Sequence, residues 1–201
     1  MLRTCLILLL LSASIVNAKP IVVLGDSISA AYGIDASKGW VTLLQNKIDA
    51  HQLDYSIHNE SISGETSAGG LTRIKNILKT HKPRLLLLEL GANDGLRGIP
   101  PFVMKKNLSA IIQAAQKANC QVILLSMQIP TNYGKRFTEM FYNSYFELAK
   151  KHDIAVVPFI LQDVALDKNL MQNDNLHPNA KAQSAITEHI WPYVSPFLEQ
   201  Q

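Results

Sequence analysis

Ser27, Asp174 and His177 are the side chains of this 201-residue sequence whose types and spacing could do chemistry together. A serine hydroxyl becomes a nucleophile when an imidazole takes its proton. The imidazole serves as a base when a carboxylate fixes its tautomer through Nδ1–H. The stretch Asp174-Asn175-Leu176-His177-Pro178 offers such a pair, because Pro178 biases His177 away from helical geometry and onto a turn. There Asp174 can fold back to the ring, leaving Nε2 as the base. Acyl transfer also places a negative charge on the former carbonyl oxygen, which must meet fixed donors. Candidates for that oxyanion hole are the Ser27 backbone N–H, the Gly64 backbone N–H in Ser63-Gly64-Glu65, and the Asn93 amide in Gly91-Ala92-Asn93-Asp94. Singly, each motif has a plainer meaning: Ser27 as a helix cap, Gly64 and Asn93 as turn residues, Asp174 as a turn former beside a surface histidine.

The elements that must position these residues alternate along the chain. Strands are expected at 21–24, 55–58, 85–90, 122–126 and 155–157, and the unbroken apolar run at 85–88 suits a strand covered on both faces of a parallel sheet. Between them, Trp40, Leu43, Leu44 and Ile48 form a stripe at helical spacing, as do Met104, Leu108, Ile111, Ile112 and Ala115. Phe137, Met140, Phe141, Tyr145 and Leu148 form a third stripe. A further helix is expected from Thr66 or Ser67 to about Lys79, and a last one from near Asn179 to before Pro192. Alternating strands and helices imply one α/β domain with helices on both faces of a parallel sheet. Right-handed crossovers point all strand ends the same way, and sites in such folds lie outside those ends. Gly25-Asp26-Ser27, the segment around Gly64, and Gly91-Ala92-Asn93 each follow an expected strand, and Asp174 and His177 follow the last.

Composition narrows the function classes. A formal net charge of +3 gives no case for nucleic acid or an anionic membrane as partner. The opening MLRTCLILLLLSASIVNA has Arg3 before an apolar run, with small residues at Val16 and Ala18, the layout of a secretory signal peptide cut after Ala18. The expected organisation is a signal at 1–18 and a single domain over 19–201, exported to the periplasm with no stable membrane span after cleavage. Cys120 would then be the only cysteine of the mature protein, a buried thiol without a disulfide. Neither His-Glu-x-x-His nor a Cys-x-x-Cys pair is present, nor a glycine-rich phosphate loop, nor the Gly-x-Ser-x-Gly elbow. No metal or cofactor is expected. The remaining histidines, His51, His58, His81, His152 and His189, read as helix-surface or strand-edge residues.

Gly25-Asp26-Ser27, SGETS with Gly64, GAND with Asn93, and DNLHP resemble the four sequence blocks of the SGNH (GDSL-type) hydrolases, in order and over residues 21–191. LGANDGLRGIPP, IPTNYGKRF and MQNDNLHPN resemble the periplasmic thioesterase, protease and lysophospholipase (arylesterase) branch of that family in Gram-negative bacteria. Ala92 departs mildly, standing where relatives often have glycine. The resemblance implies a three-layer α/β/α, flavodoxin-like fold with a five-stranded parallel sheet in the order 2-1-3-4-5. It also implies Ser27 as nucleophile, His177 as base, Asp174 as its orienting acid, and Ser27, Gly64 and Asn93 as the oxyanion hole. The expected substrate is a fatty-acyl or aryl ester, a thioester or a lysophospholipid, handled by a monomer without cofactor. Leu96, Ile99, Pro100 and Pro101 after Asn93, with Ile129, Pro130 and Tyr133 after the fourth strand, are the candidates to line an acyl groove. A carbohydrate O-acetylesterase would use the same constellation with a more polar site, and a non-catalytic envelope-binding module would have no need of it.

Overall fold

A computed structural model of the chain describes residues 18–199. The expected export segment falls almost wholly outside them, and no helix among the described residues is long and apolar enough to cross a membrane. Strand β1 (Lys19–Gly25) sits between β2 (Tyr55–Asn59) and β3 (Leu85–Glu89), and β4 (Gln121–Leu125) and β5 (Ala155–Val157) continue the sheet. All pairings are parallel and the order is β2-β1-β3-β4-β5, as the resemblance implied. Ile21 to Leu24 and Leu86 to Leu88 are fully buried, because these central strands are covered on both faces.

The covering helices form two sets. Helix α1 (Trp40–Ala50) packs against α6 (Gln183–Glu199), whereas α2 (Ser67–His81), α4 (Pro101–Lys117) and α5 (Lys135–His152) pack in a row. The short α3 (Ala92–Leu96) follows β3 directly. With right-handed crossovers, the first connection leaves β1 toward one face and the later ones run along the other. The chain therefore reverses direction across the sheet between β1 and β3, and a crevice opens at the C-terminal ends of those two strands.

Both ends of the last helix differ from expectation. The last helix begins at Gln183 instead of near Asn179, and it runs through Pro192 and Pro196. An interior proline costs about 3 kcal/mol. Ile186, Ile190, Val194 and Leu198 recur every fourth residue and are all buried, at about 1.5–3 kcal/mol each, so the stripe outweighs the prolines. Asn179 stays in the preceding turn, where its amide donates to Asn169 O and Met171 O.

Candidate active site

The turn after β1 exposes Ser27 by giving the capping work to its neighbour. Asp26 is buried, and its Oδ1 accepts from the Ile28 N–H at 3.0 Å. Ser27 Oγ is left to meet His177 Nε2 at 2.9 Å. Gly25 is required by close approach: a Cβ there would stand 2.6 Å from Ser29 Oγ and 2.7 Å from Glu89 Oε2.

His177 comes from the long loop between β5 and α6. Asp174 Oδ1 accepts the backbone N–H groups of Leu176 (2.9 Å) and His177 (3.0 Å), closing a tight turn with Asn175 at φ +54°. Asp174 Oδ2 then lies 2.7 Å from His177 Nδ1. Burial raises the Asp174 pKa only partly; hydrogen bonds from the His177 backbone, the His177 ring and the Leu176 N–H overcome it and hold the carboxyl down at about 2. With Asp174 ionised, Nδ1 carries the hydrogen and Nε2 faces Ser27 as an acceptor. The loop is pinned by the Met171–Pro178 bridge and by the Gln172 N–H donating to His177 O at 2.8 Å.

The two remaining oxyanion candidates lie on the neighbouring loops. Gly64 adopts φ +79°, a conformation that favours glycine, although a Cβ there would find only Arg97 Nη2 at 3.7 Å. The backbone conformation by itself accounts for a glycine at this position. Asn93, in the first turn of α3, donates from Nδ2 to Asp26 Oδ2 at 3.0 Å. That bond uses one of the two amide hydrogens and orients the other. The two loops are tied together by buried Asp94, whose carboxylate accepts from the Ser67 N–H (2.7 Å) and Ser67 Oγ–H (2.5 Å).

Beneath this turn is a buried acid that sequence reasoning missed. Glu89 ends β3 with no exposure, and its Oε2 accepts from the Asp26 N–H (3.1 Å) and the Ser29 hydroxyl (2.7 Å). Burial, then the adjacent Asp26 carboxyl, push the Glu89 pKa well above the usual carboxylate range. Burial also pushes Asp26 up to about 6, against hydrogen bonds from Ile28 and Asn93 that lower it. The signal available in the sequence was the single acid closing Leu85-Leu86-Leu87-Leu88-Glu89.

Ser27, Gly64, Asn93 and His177 all line one cavity of about 890 Å³. Of the loop residues expected to form its wall, Leu96, Ile129 and Pro130 do so, and Ile99, Pro100, Pro101 and Tyr133 do not. The Ile99 N–H is bonded to Asp94 O, Pro100 caps α4, and Pro101 is buried in its first turn. Tyr133 donates its hydroxyl to Leu96 O at 2.8 Å, so it braces the wall from behind. The wall is completed chiefly by Met127 after β4, by Phe159 and Leu161 after β5, and by Met171 at the head of MQNDNLHPN. Among the described residues no group of three or more His, Cys, Asp or Glu side chains could hold a metal ion.

The chain is 44% identical over 198 residues to "Esterase TesA" of Pseudomonas aeruginosa, covering 98% of each. It is 40% identical to "Thioesterase 1/protease 1/lysophospholipase L1" of Escherichia coli strain K12, covering 96% of this chain and 91% of that one. Among solved structures, the crystal structure of TesA superposes with a TM-score of 0.88 over 90% of this chain and all (100%) of that one, at 44% identity. A psychrotrophic esterase EstA from Pseudoalteromonas, inhibited by monoethylphosphonate, superposes with a TM-score of 0.86 over 90% of this chain and 100% of that one, at 43% identity. The sequence pattern described as "GDSL-like Lipase/Acylhydrolase family" matches residues 23–185, more than half of the chain, and the chain belongs to that family.

Proposed function

We propose that this protein is a serine esterase and thioesterase acting on acyl substrates through an ester formed on Ser27. The observation that supports this most is a continuous relay, Asp174 to His177 at 2.7 Å and His177 to Ser27 at 2.9 Å, opening into a largely apolar cavity. The esterase and thioesterase names of relatives at 40–44% identity over nearly the full chain support the same class.

In the first step His177 Nε2 takes the Ser27 proton, and Oγ adds to the carbonyl carbon. The oxyanion is held by the Ser27 N–H, the Gly64 N–H and the free Asn93 amide hydrogen. Collapse breaks the bond to the leaving oxygen or sulfur, which receives the proton from His177. Water, deprotonated by His177, then releases the acid from Ser27. Asp174 stays ionised throughout and holds the imidazole in register. Fatty-acyl and aryl esters, thioesters and lysophospholipids fit the apolar wall of Leu96, Met127, Ile129 and Phe159. The opening residues 1–18 act as a cleaved export signal that directs the domain to the periplasm.

A panel of 4-nitrophenyl esters from acetate to decanoate, with matched thioesters and lysophospholipids, tests the substrate class. Decanoate turned over with the higher kcat/KM is the expected result. A strong preference for acetate would overturn the long-acyl reading in favour of an O-acetylesterase.

A further inference from the structure

Tyr32 holds a position that the acyl-transfer steps above do not use. Its ring lies against the His177 imidazole, with centroids 4.6 Å apart and planes tilted by 41°. It lines the same cavity as Ser27 and His177 yet stays 52% exposed. A large exposed aromatic beside a catalytic imidazole is uncovered for a reason other than core packing, since one ring edge and face remain open to whatever enters.

The backbone of Tyr32 is fixed from both sides of the relay. Its N–H donates to Ser27 O at 3.0 Å, and its carbonyl accepts from Gln172 Nε2 at 2.7 Å. Gln172 in turn bonds His177 O through its backbone N–H at 2.8 Å and Pro178 O through its side chain at 3.1 Å. The preceding residue, Ala31, sits at φ +57°, and Gly33 follows at φ +74°. The strained turn, the nucleophile and the histidine loop therefore hold Tyr32 as one unit. That network sets where the ring emerges beside the imidazole.

The chemistry says what that ring faces. The carbonyl carbon carries three substituents: the oxygen bound in the hole, the acyl chain, and the leaving group. Only the leaving oxygen or sulfur must come within hydrogen-bond reach of His177 Nε2, because that nitrogen delivers its proton as the carbon–heteroatom bond breaks. A group attached to that atom lies beside the imidazole, and the Tyr32 ring packs on the imidazole. We propose that Tyr32 forms the leaving-group subsite of this enzyme and sets its preference for aromatic leaving groups, independently of the acyl chain. The proposal rests on the serine-hydrolase reading above. The Tyr32 ring offers an offset or edge-on contact to a phenolic or thiophenolic leaving group, a contact that a small alcohol cannot return.

The test compares phenyl and ethyl esters of one acyl chain, and acetate with decanoate of one leaving group, in wild type, Tyr32→Leu and Tyr32→Phe. The quantity read is the ratio of kcat/KM values within each pair. Tyr32→Leu should lower the phenyl-to-ethyl ratio about three- to tenfold, the range of an aromatic pair contact, and leave the decanoate-to-acetate ratio alone. Tyr32→Phe should retain the phenyl-to-ethyl ratio, because the ring and not the hydroxyl carries the contact. Equal loss on both esters would assign Tyr32 to holding His177 in place and overturn the proposal, as would an unchanged ratio. Fluorophosphonate labelling of the wild type separates the two levels. Wild type that resists the probe overturns the hydrolase reading together with this subsite, whereas labelled wild type with an unmoved ratio overturns the subsite alone.

Discussion

Replacing Glu89 separates what its shape does from what its charge would do. The carboxyl has no exposure, its Oε2 accepts two hydrogen bonds, and its Oε1 has no partner. Burial, then the adjacent Asp26 carboxyl, push its pKa well up, which favours the neutral acid. Glu89→Gln keeps one oxygen for the Asp26 N–H and the Ser29 hydroxyl. Its NH₂ then meets the same surroundings as an acid proton on Oε1, so the cost should be about 1 kcal/mol or less. Glu89→Ala strands both donors in the interior at about 1–3 kcal/mol each, or about 2–6 kcal/mol together. That is a large share of a domain's typical stability of about 5–15 kcal/mol. Urea unfolding of the three proteins at pH 7 reads the difference directly.

The pH dependence adds a second check on the same pair. Both folded-state pKa values are raised, so Asp26 and Glu89 bind protons more tightly in the folded protein than in the unfolded chain. Their stabilisation is full below the unfolded carboxyl range and is lost as pH rises through the folded values. For Asp26 the window runs from the ordinary aspartate value of 3.8 to about 6, worth about 3 kcal/mol at about 1.4 kcal/mol per unit. Wild type should lose further ground as rising pH ionises Glu89, and Glu89→Gln should escape that loss. If Glu89→Gln unfolds at pH 7 as easily as Glu89→Ala, then Glu89 acts as a charge and the reasoning fails.

Other consequences follow from single contacts. Asn93→Ala removes a hydrogen-bond donor from the hole and should lower kcat by about 10²–10³ with little change in KM, measured on a 4-nitrophenyl ester; an unchanged kcat would take Asn93 out of the hole. Because Asp174 is held at about 2, lowering the pH from 7 to 4 should not protonate it. An Asp174 pKa of about 4 or above in an NMR titration would contradict that. Cys120 is 2% exposed and burial pushes its thiol up to about 12, so a thiol reagent at pH 8 should modify it only after unfolding. Rapid modification of the native protein would show that β4 opens locally.

The candidate catalytic edge was legible because its residues stand at short, fixed spacings. Asp174 and His177 meet through a three-residue turn, and Ser27, Gly64 and Asn93 lie a few residues beyond the ends of β1, β2 and β3. What the sequence left obscure depends on contacts far apart in the chain. Glu89 and Asp26 are 63 residues apart, so nothing local announces their bond. Phe159 and Leu161 follow the three-residue β5 and Pro158 in a stretch without helical or strand periodicity, yet they complete the cavity wall. Tyr133, conspicuous beside Asn132 and Gly134, turned its hydroxyl to Leu96 and away from the cavity. The end of α6 was misplaced for a related reason: proline is a local signal, and the buried stripe that overrides it draws on packing against α1.

The central claim is that Ser27, and no other residue, is the nucleophile of a relay through His177 and Asp174. Fluorophosphonate labelling of the purified protein followed by peptide mapping tests this most directly. One adduct is expected, on the peptide carrying Ser27, absent in Ser27→Ala and strongly slowed in His177→Ala. An adduct on a different residue, or undiminished labelling and ester turnover in Ser27→Ala, would contradict the account.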